Sequence, residues 1–504
     1  MAQEKPIDKI KSHIKAGKNF VLSGGAGSGK TSTLLETFQL FDQAKKIACI
    51  TYTNTAVEEI NERNSAKNVD VFTIHDFLWT QIKHYQKNIK DLLSKYHKDK
   101  TINFNALKEI DYKPYEKIEE GLISHDTVIC LATAMIRIFP LLQRIIASKY
   151  QAILVDEYQD TDKHVVQALL EMSKKQKIII GFFGDSMQAI YDKGIGSLQE
   201  QIDKQEVYEI QKPDNFRCSK AVISLLNELR LDDLQQKPSN QNKEGSVKFL
   251  YTTRSLSDHL INSSPTDEPN HKKLLLSHRL IAKLLGFEEL FKQGYRIVGD
   301  SALPIIRHIK KVAQIVKMFD EHQHYEILKN IKIKANSKTN IKHIFEGINK
   351  LKNPNLTIRE AIQLSDEYRL VIKDDFYIKE CESNLEVFQN EKFSSVQLLL
   401  KYEEGLFSIQ TQHSTKGREF ENVTILLDNG NWRDYDFSRI FSDDLDISAI
   451  KTKKLFYVAC SRAKNNLTII YPRFQQQYLE QAYELFGKDN VCNIDECSNL
   501  GWSY

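Results

Sequence analysis

The sequence lacks any uninterrupted apolar run approaching the roughly 20 residues that a bilayer-spanning helix needs. Its opening stretch, MAQEKPIDKIKSHIKAGKNF, carries charges throughout and lacks the apolar core of a signal peptide. We therefore expect a cytoplasmic protein with no membrane association.

An excess of charge of one sign is also missing. The chain has 70 Lys and Arg against 67 Asp and Glu, a formal net charge of +3, which excludes a broad basic coat. Binding to nucleic acid would require basic side chains gathered in a groove. The seven cysteines lack metal-ligand spacing, so we expect no cysteine metal site.

The composition is otherwise that of a globular chain. Hydrophobic residues make up 41% and charged residues 27% of the 504 positions, which excludes a disordered protein. At about 150 residues per domain, this length predicts three or four domains.

Strand and helix patterns alternate in two parts of the chain, separated by stretches that are mostly helical. This alternation favours doubly wound parallel sheets. Strand patterns are expected at 19–24, 46–53, 150–160, 177–185, 206–217, 246–251, 273–278, 295–299, 406–413, 421–428, 455–460 and 466–471, and residues 69–77 are expected to form a strand and the start of a helix. The helical stretches at 78–147 and 301–400 look like insertions.

A glycine-rich segment, GGAGSGKT at 24–31, matches the phosphate-binding pattern G-x-x-x-x-G-K-[ST]. It follows an expected strand and opens an expected helix, so its backbone N–H groups can surround phosphate oxygens. Lys30 would meet the β- and γ-phosphates of ATP, and Thr31 would ligate Mg²⁺. The candidate nucleotide-binding residues are Gly24, Gly25, Ala26, Gly27, Ser28, Gly29, Lys30, Thr31 and Ser32.

Two carboxylates end an apolar strand in the segment ILVDEYQD. In an enzyme with a phosphate-binding loop, the first carboxylate, Asp156, would hold Mg²⁺. Its neighbour Glu157 would polarise the water that attacks the γ-phosphate. The sequence therefore predicts an ATP and Mg²⁺ site.

Further segments resemble, in order, the motifs of UvrD/Rep-like superfamily 1 DNA helicases. These are TYTNTA (51–56, motif Ia), FTIHDF (72–77, Ib), DEYQD (156–160, II), GDSMQAIY (184–191, III), NFR (215–217, IV), TQHSTKGREFENV (411–423, V) and KLFYVACSRAK (454–464, VI). The match spans residues 21 to 471, nearly the whole chain. Motifs V and VI also argue against a P-loop metabolic kinase.

The resemblance implies an α/β fold of two RecA-like doubly wound parallel-sheet domains, each with a helical insertion. The first domain, 1A, would comprise 1–77 and 148–214, interrupted by insert 1B at 78–147. The second, 2A, would comprise 215–300 and 401–504, interrupted by a reduced insert 2B at 301–400.

The resemblance also implies roles for single residues. Gln188 would sense the γ-phosphate, Arg217 and Arg462 would reach the same group, and Glu157 completes this catalytic set. Phe216 would stack on adenine, and Glu419, with Gly417, would lie at the ribose. Relatives contact the DNA strand at positions that match Tyr52, Thr53, Asn54, Thr73, His75, Tyr191 and His413.

Three features depart from the family pattern. Lys193 stands where relatives carry a Trp that stacks on a base, and Gln3 is the only glutamine before Lys30 that could read adenine. The inserts are also short. This compact form resembles the helicase-like subunit of the Gabija antiphage-defence system, which works beside an OLD-family nuclease, so we expect a hetero-oligomeric complex with such a nuclease.

Three functions stay open at this point. The motif set favours an ATP-dependent DNA helicase or translocase on single-stranded or forked DNA, with 3′-to-5′ movement expected from the resemblance. A stand-alone DNA-repair helicase fits the same motifs. A DNA- or nucleotide-sensing ATPase switch within a nuclease complex, with little unwinding of its own, fits the short inserts and Lys193.

Overall fold

The computed structural model describes residues 4–99, 101–113, 115–255, 270–292, 304–331, 338–371, 390–428 and 434–497. Two compact units make up the chain. The first comprises Met1–Val247 and Asp434–Asn466, and the second comprises Lys248–Arg433 and Leu467–Tyr504.

The strands are numbered in chain order. They are β1 (Phe20–Gly24), β2 (Lys46–Thr51), β3 (Val69–Thr73), β4 (Asp111–Tyr112), β5 (Leu122–Ile123), β6 (Tyr150–Asp156), β7 (Ile179–Gly184), β8 (Tyr208–Lys212), β9 (Asp214–Asn215), β10 (Lys237–Pro238), β11 (Ser246–Thr252), β12 (His271–Leu275), β13 (Ile409–Thr411), β14 (Phe420–Leu426), β15 (Ala463–Pro472) and β16 (Val491–Asn493).

The α-helices follow the same order. They span Pro6–Lys15, Lys30–Phe38, Asn54–Arg63, Ile74–Ile82, Gln86–Tyr96, His125–Ile138, Pro140–Lys149, Lys163–Gln176, Gln199–Asp203, Lys220–Leu229, His278–Leu285, Glu288–Lys292, Pro304–Asp320, His324–Asn330, Lys338–Leu351, Ile358–Glu367, Phe393–Glu403, Ile447–Cys460, Leu479–Phe486 and Ile494–Cys497.

The sheet of the first unit has the strand order β3-β2-β6-β7-β1-β8. Its strand pairs are parallel, so all carboxyl ends lie at one edge. Ligands of open parallel sheets bind outside this edge. The segments that follow β1, β6 and β7 carry the phosphate-binding loop, the acidic pair and Gln188, and the topology therefore gathers them.

Both faces of this sheet are buried, which explains its nearly continuous apolar strands. Successive side chains alternate between two cores. In β6, Ala152 and Leu154 join the core that includes Phe20 and Leu34. Ile153 lies on the opposite face, in a core that extends into the helices between 74 and 149.

The sheet of the second unit has the order β13-β12-β14-β15-β11-β16. The pairs β12–β13, β12–β14 and β11–β16 are parallel. A helical layer packs beside it, where Ile309 of the helix Pro304–Asp320 and Leu399 of the helix Phe393–Glu403 share one core. The prediction of two α/β units built on parallel sheets is confirmed.

The predicted domain boundaries stay a prediction. The contacts within the molecule group 215–247 and 434–466 with the first sheet, whereas the prediction assigned them to the second domain. The structure is helical over much of both predicted inserts. The strand predicted at 295–299 and residue Gln3 lie outside the described residues.

One predicted strand is wrong. The segment LFYVAC at 455–460 forms the end of the helix Ile447–Cys460, which begins where the Asp446 side chain accepts a hydrogen bond from the Ala449 backbone N–H. Residues 455–460 are all buried, and a short run of apolar residues fits a buried helix as well as a buried strand.

In the part of the chain that the structure describes, no individual helix combines the length and apolar character needed to cross a membrane. The adjacent helices His125–Ile138 and Pro140–Lys149 pass that test only as a pair, which is bent by 100°. Both helices contribute buried side chains to a core of the first unit.

Candidate nucleotide site and its surroundings

The phosphate-binding loop lies between β1 and the helix Lys30–Phe38. Gly27 and Gly29 have φ angles of 77° and 78°, in the left-handed region that favours glycine. A Cβ on Gly27 would lie 2.5 Å from the Cβ of Arg217. The loop therefore needs glycine both for its conformation and for its close approach to the 215–217 segment.

Two polar groups are buried in this loop. The Lys30 Nζ donates hydrogen bonds to the carbonyl oxygens of Gly24 (2.9 Å) and Gly25 (3.1 Å). The Ser28 Oγ is buried and has no hydrogen-bond partner among the described residues. A buried hydroxyl without a partner is costly, and a phosphate oxygen would satisfy it. This loop therefore fits the phosphates of a nucleotide.

The acidic pair lies at the carboxyl end of β6, where Asp156 is the last strand residue and Glu157 follows it. Burial, and next the charge of Glu157, raise the pKa of the buried Asp156 carboxyl to about 7, while Lys30 opposes this shift. Glu157 has a φ of 50°, and its carboxylate accepts a hydrogen bond from the side-chain amide of Gln159. A non-glycine residue in the left-handed region is strained, and such strain clusters at functional sites.

The Mg²⁺ prediction fits these residues. The described residues contain no group of three or more His, Cys, Asp or Glu side chains that could hold a metal ion. Mg²⁺ usually takes one or two protein carboxylates and completes its shell with water and substrate phosphates. Asp156 and Thr31 would be the ligands that the protein provides to Mg²⁺.

Gln188 lies in the turn after β7 and is buried. Its Nε2 donates a hydrogen bond of 3.0 Å to Asp185. Burial tends to raise the pKa of Asp185, but Arg230 and Lys30 outweigh it, so the pKa is lowered and this carboxylate stays ionised. The side chain of the predicted sensor Gln188 is thus held in place by a hydrogen bond to the buried, ionised Asp185 carboxylate.

The segment after β8 contacts the phosphate-binding loop directly. The Phe216 backbone N–H donates to the Gly27 carbonyl oxygen at 2.9 Å, while its side chain is 60% exposed. The Lys212 Nζ lies 5.6 Å from the centroid of the Phe216 ring. An exposed aromatic face beside the loop is available for stacking on a nucleotide base.

Arg462 is fully buried in the same unit. Its Nε donates to the Val458 carbonyl oxygen at 3.0 Å, and its Nη2 donates to the Ser461 Oγ at 2.8 Å. Burial, and next the charge of Arg217, lower the pKa of Arg462 to about 10, and Glu157 partly opposes them. Arg217 and Glu157 each lie within electrostatic reach of Arg462.

The predicted site residues of motif V belong to the second unit. His413 follows β13 in a short 3₁₀ turn, and burial lowers its pKa. Gly417 has a φ of 83°, and Glu419 immediately precedes β14. Their roles at the ribose and the DNA strand stay predictions.

Two of the predicted DNA-binding residues form an exposed stack. The rings of Tyr52 and Tyr191 lie 5.6 Å apart between centroids with an interplanar angle of 16°. They are 40% and 38% exposed. Aromatic faces of this kind suit sequence-independent stacking with bases.

The other DNA-binding candidates of the first unit have local structural roles or positions. The Thr53 and Thr73 hydroxyls cap helices by accepting hydrogen bonds from the Ala56 and Asp76 backbone N–H groups. Asn54 is the first residue of the helix that Thr53 caps.

His75 packs against a second histidine. The rings of His75 and His125 lie 4.3 Å apart between centroids. Burial, and next the charge of His125, lower the pKa of His75 to about 4, so the ring is neutral at pH 7. A neutral imidazole can contact DNA through hydrogen bonds but adds no charge to a phosphate contact.

Lys193 occupies the position of the family's stacking Trp. Its Nζ forms an exposed ion pair of 2.6 Å with Asp126, at the start of the helix His125–Ile138. The sequence could identify this substitution, but it could not reveal the ion pair, because the two residues are 67 positions apart.

Sequence reasoning missed a buried polar network around the site. Tyr457, Asn215 and Asp185 lie within recognised motifs but carried no separate signal. Arg230 and Gln236 lie outside every motif, and nothing in their local sequence marks them. Their contacts bring together segments far apart in the chain.

The chain is similar in sequence to several known proteins. The family model described as an AAA domain matches residues 8–193. The Gabija protein GajB of Bacillus cereus strain HuB5-5 is 26% identical, over 96% of this chain and 98% of its own length. GajB of strain VD045 is 25% identical over 95% of this chain and 98% of its own length.

Two helicases match more distantly. The ATP-dependent DNA helicase PcrA of Staphylococcus aureus is 26% identical over 38% of this chain and 27% of its own length. The crystal structure of Pif1 helicase from Candida albicans aligns with 96% of this chain and 100% of its own chain, with 13% identity and a TM-score of 0.38. The predicted resemblance is thus confirmed: the chain is similar to UvrD-like superfamily 1 helicases and, over nearly its whole length, to GajB.

Proposed function

We propose that this chain is an ATP-dependent DNA translocase or helicase that acts on single-stranded or forked DNA, beside a partner nuclease in antiviral defence. One observation carries the ATPase part of the proposal. A single compact unit holds the phosphate-binding loop, the acidic pair, the buried sensor Gln188 and the two arginines. The PcrA relative is named as an ATP-dependent DNA helicase.

In this mechanism the loop N–H groups, Lys30 and the Ser28 hydroxyl bind the phosphates. Mg²⁺, when held by Asp156 and Thr31, would neutralise phosphate charge. Glu157 orients the attacking water and accepts its proton. Guanidinium groups suit the charge that spreads over the transferred phosphoryl group, which is the role of Arg217 and Arg462.

The motor part of the proposal rests on the resemblance. Loop and domain closure driven by ATP is a common way to convert hydrolysis into movement. We propose 3′-to-5′ translocation because the motifs resemble those of UvrD-like helicases. The exposed Tyr52–Tyr191 stack would supply part of the grip on the strand.

The first test measures ATP hydrolysis by the purified chain with and without single-stranded DNA. We expect strong stimulation by DNA. Glu157→Gln should lower kcat by at least about 100-fold, because general-base catalysis contributes about 10²–10⁴-fold. Lys30→Ala should abolish hydrolysis through loss of phosphate binding.

The matched control is Glu36→Gln, the same chemical change at an exposed position of the helix Lys30–Phe38. It should leave the rate unchanged. Hydrolysis that persists in Glu157→Gln and Lys30→Ala would refute this assignment of the site.

A second candidate function is a nucleotide-sensing switch that separates few strands. It is favoured by Lys193, which stands at the position of the family's stacking Trp and forms an ion pair with Asp126. A strand-displacement assay under conditions of full ATPase activity separates the two. Displacement of a long duplex by the chain alone favours the helicase, and hydrolysis without displacement favours the switch.

A further inference from the structure

A guanidinium group is buried next to the nucleotide site of the first unit. Arg230 follows the helix Lys220–Leu229, and its side chain is only 2% exposed. Its Nη1 donates to the Tyr457 Oη at 2.8 Å, and its Nη2 donates to Asp185 at 3.0 Å. Its Nε and Nη2 also donate to the two carboxylate oxygens of Asp232, at 2.6 and 2.7 Å.

Arg230 thereby reaches the predicted γ-phosphate sensor through one carboxylate. The Asp185 side chain has no exposed surface. Its Oδ2 accepts from the Gln188 Nε2 at 3.0 Å and from the Tyr457 Oη at 3.1 Å. The sensor, the tyrosine and the arginine therefore share a single buried acceptor.

The same network reaches the phosphate-binding loop. The Tyr457 Oη accepts a hydrogen bond from the Gln236 Nε2 at 3.1 Å. The Asn215 Nδ2 donates to the Ala26 carbonyl oxygen at 2.9 Å and to the Gln236 Oε1 at 2.7 Å. The network thus reaches the Ala26 carbonyl oxygen from Tyr457 through Gln236 and Asn215.

A connected buried network of this kind resists partial rearrangement. Each polar group that loses its partner costs about 1–3 kcal/mol, and more when it is charged. A change in the hydrogen bonds of Gln188 therefore has to be accommodated at Asp185, and from there at Tyr457 and Ala26. Arg230 is the cation that keeps the central carboxylate ionised and in place.

We propose that Arg230 is a positioning residue that couples the state of the γ-phosphate, sensed at Gln188, to the backbone of the phosphate-binding loop. This rests on the proposed function of the site. Arg230 touches neither substrate nor reacting atoms in this role. In this role Arg230 makes the first unit bind ATP in preference to ADP. It also restricts hydrolysis to the state in which the γ-phosphate is correctly placed.

The test compares the full-length wild type with Arg230→Met. Dissociation constants are measured for a fluorescent ADP and for a non-hydrolysable fluorescent ATP analogue, and kcat is measured separately. Allosteric couplings typically amount to about 5–150-fold. We expect Arg230→Met to lower the preference for the ATP analogue by about fivefold or more, to keep ADP affinity within about twofold, and to lower kcat by about tenfold or more.

A second variant guards against misfolding. Removal of a buried ion partner is strongly destabilising, so Arg230→Met is expected to lower the stability of the fold. Tyr457→Phe removes only the hydroxyl that joins Arg230, Asp185 and Gln236, and it keeps the packed ring. It should produce the same loss of preference. Lys310→Met, which breaks the partly buried ion pair with Glu403 in the second unit, controls for a general loss of stability.

The outcomes are distinguishable. If both site variants lower the melting temperature but keep the wild-type preference and kcat per folded molecule, Arg230 is purely structural and the inference is overturned. The same holds if Lys310→Met reproduces the loss of preference. If the wild type binds nucleotide but DNA fails to stimulate hydrolysis, the proposed motor function fails, whereas the coupling is still decided by the binding ratio.

Discussion

Among single residues, the exposed Tyr52–Tyr191 stack provides the sharpest test of DNA binding. Stacking of a base on an aromatic ring is worth about 1–3 kcal/mol, which is roughly a 5- to 150-fold change in affinity. We expect Tyr52→Ala and Tyr191→Ala each to weaken binding of single-stranded DNA within this range. The measurement is fluorescence anisotropy with a labelled oligonucleotide at several salt concentrations.

The salt series separates stacking from charge. Counterion release depends on phosphate contacts, and a tyrosine makes no ionic contact with phosphate. The slope of log K against log salt should therefore equal that of the wild type. Tyr325→Ala, at a ring that is 77% exposed in the second unit, is the matched control. Wild-type affinity in both site variants would contradict a DNA-binding role for the stack.

Local chemistry decides which site residues a sequence can reveal. The phosphate-binding loop and Asp156 are predictable because the features that mark them are local in the sequence. These features are the glycines and lysine of the loop and the end of an apolar strand before Asp156. The hydrogen bonds of Arg230 are not predictable from the sequence, because its partner Tyr457 lies 227 positions away in the chain. For Thr53 and Thr73 the residue type is readable from the sequence, but its role is not. A threonine at such a position fits a helix cap and a DNA contact equally well.

Among the elements, β7 shows how tightly the central sheet is packed. A Cβ on Gly181 would lie 2.6 Å from the Phe20 Cζ and 2.7 Å from the Leu154 Cδ2. Gly181→Ala should therefore destabilise the chain by about 1–3 kcal/mol, the usual cost of overpacking a core. Urea unfolding of the full chain, followed by circular dichroism, measures the change.

A compensating variant provides the control for this prediction. Phe20→Leu shortens the side chain that the new methyl group would meet. Gly181→Ala combined with Phe20→Leu should lose less stability than the sum of the two single changes. Strict additivity would show that the methyl group is accommodated elsewhere and that the contact with Phe20 is not limiting.

The elements of the first sheet were largely predictable because its central strands are short, apolar and bounded by polar turns. The expected strand at 150–160 is realised as β6, and the one at 177–185 as β7. The helix Ile447–Cys460 was not, because its buried end lacks the periodic polar face that marks a helix on a surface. The strand expected at 206–217 is divided into β8 and the two-residue β9, and β10, also only two residues long, had no readable pattern.

At the scale of the whole molecule, the proposal of a nuclease partner is tested by isolation of the intact protein. The chain carries an affinity tag, is purified from its natural host, and bound chains are identified by mass spectrometry. We expect an OLD-family nuclease in stoichiometric amount, because the resemblance to GajB extends over 96% of the chain. Glu157→Gln should retain this partner, since the change is confined to the hydrolytic site.

Recovery of the chain without any nuclease, in amounts that support full DNA-stimulated hydrolysis, would favour a stand-alone helicase instead. A stand-alone helicase and a subunit of a complex need the same nucleotide chemistry. The two differ in the surface that a partner would cover. The net charge of +3 means that neither positive nor negative charge predominates in this chain.

The division of the first unit into Met1–Val247 and Asp434–Asn466 has a consequence for synthesis. Tyr457 and Arg462, which complete the polar surroundings of the phosphate-binding loop, are translated long after the loop itself. At about 5–20 residues per second, the ribosome needs on the order of 10–40 s to pass from the first segment to the end of the second. During that interval the nascent chain holds a loop without its closing tyrosine and arginine, and premature termination in the interval releases a product whose nucleotide site is never finished.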